Sequence, residues 1–258
     1  MTALRLLLPG SAVVGDLADE RSDVLGALAD LYAYPAPVPA TGWVRANMVT
    51  TLDGSATGAD ALSGSIGSAA DKAVFGVLRG LADVVLVGAG TVRAEGYRLP
   101  RAKREFAGRR AGAGQAPAPV LAVVTRSGDV PTTGDLFSPD APSLVVTCAA
   151  ADLDTLRRRF GAERVLVAGD EDVDPAVAVA QLAARGLLRV LLEGGPHLLG
   201  RTVASGLLDE LCLTTSPMLV AGRGPRIAVD EVTTGLRLRA AHLVEADGVL
   251  LGRWLVRR

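Results

Sequence analysis

Cysteine, histidine and lysine are nearly absent. The chain of 258 residues has two cysteines, two histidines and, at Lys72 and Lys103, its only lysines. Cys148 and Cys212 lie in separate apolar runs, SLVVTC and ELCLTT, far from any second cysteine or histidine at ligand spacing. They read as buried, inert thiols rather than as a disulfide or a metal site. With only His197 and His242 available, histidine-dependent triads and multi-histidine metal centres are excluded. His197, at a helix start, reads as a surface or capping residue. No H-x-E and no P-C-x-x-C occurs, which rules out a zinc deaminase.

Net charge is equally scarce. A formal charge of -1 and arginines spread along the chain give no field that favours a polyanion, so nucleic acid is not an expected partner. Long apolar runs are missing too. MTALRLLLPG stops at Pro9, short of a bilayer span and without a small-residue cleavage pattern, and the expectation is a cytoplasmic protein with no membrane partner.

What remains describes an ordinary globule, 49% hydrophobic and 21% charged, long enough to build one sizeable core. Residues 1–40 form an uneven N-terminal extension: an apolar run, the acidic patch DLADERSD, a short helical pattern to Tyr32, then YPAPVPATG. Prolines at 35, 37 and 39 forbid helix there and make a semi-rigid connector. From Trp43 the runs WVRANMVT, DVVLVG, PVLAVVT, SLVVT, RVLVAG and RVLLEGG are short, apolar and β-branched, and helical patterns at 69–81, 151–160, 175–185 and 197–205 separate several of them. Continuous rather than alternating apolarity suits strands covered on both faces, so residues 41–258 are expected to be an α/β domain with a mostly parallel central sheet and flanking helices. At the end, LRAAHLVEAD and GVLLGRWLV joined by Asp247-Gly248 predict an antiparallel hairpin. The stretch from Arg101 to Pro119 reads as a mobile basic loop.

Three strand ends carry chemistry. VVLVGAGTV places Gly88, Gly90 and Thr91 between a buried strand and a short helix, either a plain tight turn or a place where backbone N–H groups meet a phosphate. VLLEGGPHLL repeats the device with Gly194-Gly195 ahead of Pro196, and its Glu193 is either a ligand for a hydroxyl or a solvated strand end. VVTRSG offers Thr125, Arg126 and Ser127, which suit a phosphate monoester or form a polar turn. Two glycine-bearing strand ends in one open parallel sheet point to a cofactor with several phosphates. Asp71 poses a separate question. It opens the apolar stripe Val74, Phe75, Leu78 and Leu81 of its helix, yet Ser68-Ala69-Ala70-Asp71 also matches a helix capping box.

Taken in order, RANMVTTLDG, SGSIGS, ADVVLVGAGTVRAEGY, VVTRSG, LLEGGPHLL and DELCLTTSPMLV resemble the riboflavin-biosynthesis pyrimidine reductase family, the C-terminal reductase half of a bifunctional deaminase/reductase with a dihydrofolate reductase-like fold. The resemblance covers residues 41–258 and implies a stand-alone NADPH-dependent reductase of the 5-amino-6-(5-phosphoribosylamino)uracil reductase type, acting on a small-molecule substrate. It implies cofactor contact for Gly88, Gly90, Thr91, Glu95, Gly194, Gly195 and Leu198, and places Thr125, Arg126 and Ser127 near the adenosine phosphate. Ala46, Asn47, Asp53 and Ala56 would form the nicotinamide wall and its covering loop, and Ser63, Arg79, Leu99, Arg101 and Glu193 would hold the substrate's ribose phosphate and hydroxyls. Asp71 would bind the pyrimidine edge and relay a proton. A homodimer through the C-terminal strands is expected on the same ground. A dihydrofolate or pterin reductase, and a nucleotide-binding protein without turnover, are the alternatives.

Overall fold

A computed structural model describes residues 2–19, 23–101, 103–130, 135–138 and 140–258. Part of the acidic patch, residues 20–22, lies outside the described residues. The chain opens with β1 (Ala3–Leu8), β2 (Ala12–Asp16) and α1 (Val24–Leu31), and then runs through β3 (Trp43–Thr51), α2 (Ala69–Leu81), β4 (Val84–Gly88), α3 (Ala89–Ala94) and α4 (Ala107–Gly112). It continues as β5 (Val120–Val124), β6 (Ser143–Thr147), α5 (Leu153–Phe160), β7 (Val165–Val167), α6 (Pro175–Ala183), β8 (Arg189–Leu192) and α7 (Pro196–Ala204). It ends with β9 (Glu210–Ser216), β10 (Leu238–Ala246) and β11 (Val249–Val256). Asp152 and Asp174 start α5 and α6 by accepting backbone N–H bonds, and Pro175 and Pro196 open their helices where a missing N–H costs little.

The strands form one sheet in the order β2-β1-β10-β11-β9-β3-β8-β4-β5-β6-β7. From β9 to β7 every neighbour is parallel; from β2 to β9 every neighbour is antiparallel, including the expected β10–β11 hairpin. The unbroken apolarity has a direct cause. In β4, Val84 and Leu86 enter one core with α6 and α7, while Val85 and Val87 enter the other with α1, α2 and α5. All seven parallel strands therefore end on the same edge of the sheet, where α3 and α7 begin.

The N-terminal extension is built into the sheet and the core. β1 pairs with β10, and Leu4, Leu28 and Tyr32 are fully buried in the core beneath α2. Its attachment is electrostatic as well as apolar: Arg253 of β11 donates to the carbonyls of Leu31 and Ala33 at 2.6 and 2.9 Å and to Glu210 at 2.9 Å. Glu210 also forms an ion pair with Arg45 at 2.6 Å, and the Arg45 guanidinium lies 3.9 Å from the centre of the Tyr34 ring. Short-range periodicity carries no trace of such contacts, the Arg253 bonds to Leu31 and Ala33 joining residues 222 and 220 positions apart. Docking of β1 also closes the edge of β10, so the C-terminal strands have no free edge for a partner.

The expected basic loop is likewise a folded clamp. Arg110, fully buried at the end of α4, donates to the carbonyls of Gly80 and Ala82 at 3.0 and 2.7 Å, satisfying the last turn of α2. Gly80 is required there, because a Cβ would stand 2.4 Å from the Phe106 ring.

His242 packs edge-on against Tyr32, ring centres 4.5 Å apart. Burial, reinforced by the Arg253 charge, holds its imidazole down at about 4. A depressed folded value means that the neutral ring contributes stability above the unfolded value near 6.5, and that this stability is lost as pH falls toward 4. Urea unfolding between pH 7 and pH 4 is expected to lose up to about 3 kcal/mol through this group, and His242→Gln is expected to remove that part of the slope.

Candidate active site

β3, β8 and β4 lie side by side, and beyond their carboxyl ends opens a cleft of about 410 Å³. Its floor is made by two glycine turns. Gly88 donates its N–H to the carbonyl of Gly194 at 3.2 Å, which stitches the β4–α3 turn to the β8–α7 turn. Gly194 and Gly195 have φ of +97° and +58°, conformations that side chains disfavour. A Cβ on Gly195 would stand 3.3 Å from Thr91 Oγ1, and one on Gly194 would point between Met48 and Thr91, whereas Gly90 opens onto free space. The result is a cradle of bare backbone at the start of α7, suited to an anionic oxygen.

Asp71 enters the cleft from α2. The Ser68 hydroxyl accepts the Asp71 N–H at 3.0 Å, so capping is performed by Ser68 alone. The carboxylate turns away from the cap and receives the Thr214 hydroxyl of β9 on Oδ1 at 2.6 Å. Burial raises its pKa above the usual carboxylate range, opposed by the Thr214 bond and by the Lys72 charge. The cleft thus holds an acid that gains its proton more readily than a surface aspartate.

A second carboxylate, Glu193, sits at the end of β8 and is 8% exposed. Arg79 donates to both of its oxygens and Tyr97 adds its phenol O–H. On the third side, Glu95 accepts the Ser63 N–H at 2.9 Å, which ties the loop after β3 to the end of α3.

Asn47, Ala56, Ser63, Asp71, Gly90, Thr91, Glu95, Glu193, Gly194 and Gly195 line the cleft. The other expected site residues stand outside its lining. Ala46 is fully buried within β3, Gly88 is engaged in the floor, and Leu99 and Leu198 pack into the two cores. Asp53 accepts the Val220 and Ala221 N–H groups and braces a neighbouring loop. Thr125, Arg126 and Ser127 follow β5, one strand beyond β4 on the same edge. Arg101, expected to hold phosphate, is turned to solvent with its side chain 82% exposed and faces Asp135 at 3.4 Å. The basic run around it folds against α2 instead. Lys72, Phe75, Thr214 and Tyr97 were not singled out by sequence reasoning. Lys72 and Phe75 line the cleft; Phe75 lies one turn beyond Asp71 on α2, and that i+4 spacing was the available signal. Thr214 and Tyr97 gave none.

An open α/β sheet with two glycine turns and a carboxylate-lined cleft on its carboxyl edge defines a class of proteins that bind ligands outside the strand ends. Within that class the chain belongs to the RibD C-terminal domain family, matched over residues 42–251. It is 30% identical over 191 residues to a protein of Methanothermobacter thermautotrophicus named 2,5-diamino-6-ribosylamino-4(3H)-pyrimidinone 5′-phosphate reductase, covering 73% of this chain and 83% of that one. A protein of the same name from Archaeoglobus fulgidus is 28% identical over 181 residues, covering 70% and 83%. Among solved structures, a pyrimidine reductase-like protein of Corynebacterium diphtheriae is similar with a TM-score of 0.79 and 26% identity, covering 90% of this chain and 98% of that chain.

The cap and the carboxylate should separate on mutation. Ser68→Ala is expected to cost about 1 kcal/mol of stability. Because the folded pKa of Asp71 is raised, its contribution to stability is present at low pH and lost as pH rises through that value. Asp71→Asn should therefore gain stability relative to the native chain between pH 4 and pH 8, read as the difference in unfolding free energy.

Proposed function

We propose that this chain is an NADPH-dependent oxidoreductase of riboflavin biosynthesis that reduces a ribosylamino-pyrimidine 5′-phosphate to its ribitylamino form. The observation that carries the reading is Asp71, a half-buried carboxylate bonded to Thr214, facing a cradle of bare glycine backbone across one cleft. The names of the relatives and membership of the family support the same chemistry.

Gly90, Thr91, Gly194 and Gly195 would hold the cofactor pyrophosphate, Thr125 to Ser127 its adenosine phosphate, and Asn47 and Ala56 the nicotinamide. When bound, NADPH supplies the hydride for the electrophilic carbon of a ring-opened ribosylamine imine. The protein's work is orientation, exclusion of water and proton placement. Oδ1 of Asp71 is held by Thr214, leaving Oδ2 to accept an N–H of the pyrimidine edge or to carry the proton that the imine nitrogen gains. A 2-aminopyrimidinone edge offers two N–H donors to this carboxylate, whereas a 2-oxo edge brings a carbonyl oxygen against it. The same reading takes the protein as cytoplasmic and as a homodimer joined through the face of β10 and β11 that carries half-buried Leu243 and Leu250.

The test is NADPH absorbance with the diamino-pyrimidinone phosphate, its deaminated counterpart and dihydrofolate offered in parallel. Oxidation with the diamino form in preference to the deaminated one is expected; turnover confined to dihydrofolate would overturn the reading. Asp71→Asn is expected to lower turnover by about two orders of magnitude with NADPH affinity within a few fold. If Oδ2 delivers the proton, kcat/KM falls as pH rises past the elevated pKa of Asp71; if it accepts the pyrimidine N–H as a carboxylate, kcat/KM rises instead, and the pH profile distinguishes the two roles.

A further inference from the structure

The connection between β9 and β10 crosses the mouth of the cleft, and its first half is held there by polar bonds more than by packing. Met218 and Leu219 are 41% and 75% exposed, Leu52, which bonds to Met218, is 63% exposed, and residues 221–226 are all exposed. Along this strap the Met218 carbonyl accepts the Leu52 N–H at 2.9 Å, the Pro225 carbonyl accepts the Ala56 N–H at 2.8 Å, and Val229 donates its N–H to the Pro196 carbonyl at 2.9 Å. Ala56, Pro196 and Pro225 all line the cleft, so the strap spans from the loop after β3 to the start of α7, where the glycine cradle lies. Gly200 of α7 seats its far end, since a Cβ there would stand 2.2 Å from the Val229 carbonyl oxygen.

Asp53 grips the strap at its middle. Its Oδ2 accepts the Val220 and Ala221 N–H groups at 3.2 and 2.7 Å. Its Oδ1 accepts the Thr51 hydroxyl, and that hydroxyl oxygen in turn accepts the Ser55 N–H at 3.0 Å. The carboxylate is thus fixed on a turn bonded to itself, and the strap hangs from it. These bonds, that of Thr51 first, hold the Asp53 carboxyl below the usual carboxylate range, so it is ionised at neutral pH and its bonds to the strap are charge-assisted. Ala221 is held at a φ of +59°, a left-handed conformation that an alanine side chain disfavours. A strained residue in an exposed segment, kept in place by one carboxylate, marks a part that comes loose when that hold is lost.

We propose that Asp53 is a latch and the strap from Pro217 to Asp230 a gate: release of Val220 and Ala221 from the carboxylate lets the strap lift, and the cofactor enters and leaves past it. The inference rests on the NADPH reading, which lays the cofactor from Asn47 and Ala56 to Gly194 and Gly195, the length that the strap covers. It gives Asp53 a positioning role exerted through backbone N–H groups, where the family resemblance implied contact with the cofactor itself. The two roles differ in kinetics. A residue that touches the cofactor changes the dissociation rate and with it the affinity. A latch changes the fraction of time the passage is open, so it changes the rates of entry and exit by one factor and leaves their ratio alone.

The experiment combines stopped-flow fluorescence of NADPH binding with amide hydrogen exchange of residues 217–226, on the native chain, Asp53→Asn and Ala221→Gly. In Asp53→Asn both the association and the dissociation rate constants are expected to rise about tenfold, with the dissociation constant within about threefold, and the Val220 and Ala221 amides to exchange about tenfold faster without cofactor. Ala221→Gly, which removes the side-chain cost of the left-handed conformation, should slow both rates a few fold. A rise in the dissociation rate alone, with affinity lost by the same factor, would show Asp53 touching the cofactor and overturn the proposal. Unchanged rates or unchanged exchange in Asp53→Asn would overturn it too, as would faster rates in Ala221→Gly. Failure of the native chain to bind NADPH is a distinct result that brings down the functional reading and the gate with it; the exchange measurement needs no cofactor and still decides whether Asp53 holds the strap.

Discussion

Glu210, with no access to solvent, holds two arginines at once, and the architecture is organised around that arrangement. Arg45 comes from the neighbouring parallel strand β3, and Arg253 from the antiparallel strand β11. The carboxylate therefore sits where the parallel and antiparallel halves of the sheet meet. Through the carbonyls of Leu31 and Ala33, Arg253 extends the arrangement to the N-terminal segment. A buried ion pair contributes little net stability against an apolar replacement, but removing one partner strands a charge at a cost of about 3–5 kcal/mol. Its geometry matches the register, with Arg45 directly opposite Glu210 on β3 and Arg253 opposite Cys212 on β11.

The same face of β9 reaches the cleft. Glu210, Cys212 and Thr214 alternate along one side of the strand, about 13 Å from first to last at the usual rise per residue. Glu210 anchors the closed end, Cys212 fills the core, and Thr214 orients Asp71 at the open end. Burial pushes the Cys212 thiol far up, keeping it inert. Charge is handled differently at the two ends. At the closed end burial is complete and the carboxylate stays ionised because two guanidinium groups flank it, with its pKa held down. At the cleft Asp71 has one hydroxyl and a nearby lysine, so burial prevails and its pKa rises.

Much of this was legible in residue order, for local reasons. The two glycine turns, the strand ends that carry them and the helix from Ala69 to Leu81 follow from period and composition. Asp71 stood out because its position in the stripe conflicted with a purely capping role, and the conflict is resolved by Ser68 capping while the carboxylate faces the cleft. Arg101 is turned to solvent beside Asp135, a direction that the sequence of an exposed loop does not announce. Arg110 and Arg253 looked like ordinary basic residues. Their work is done on backbone carbonyls of distant segments, which no pattern of side chains announces.

By itself, then, the order of residues determined which segments become strands and helices and where glycine leaves backbone bare, because these depend on contacts within a few positions. Tertiary structure alone decided that the N-terminal segment belongs to the sheet, that Arg79 is spent on Glu193, and that Asp71 meets Thr214 across 143 positions of chain. Those outcomes are pairings between remote charged and polar groups. Their energies depend on burial and distance, and both come into being only when the two cores close on the sheet.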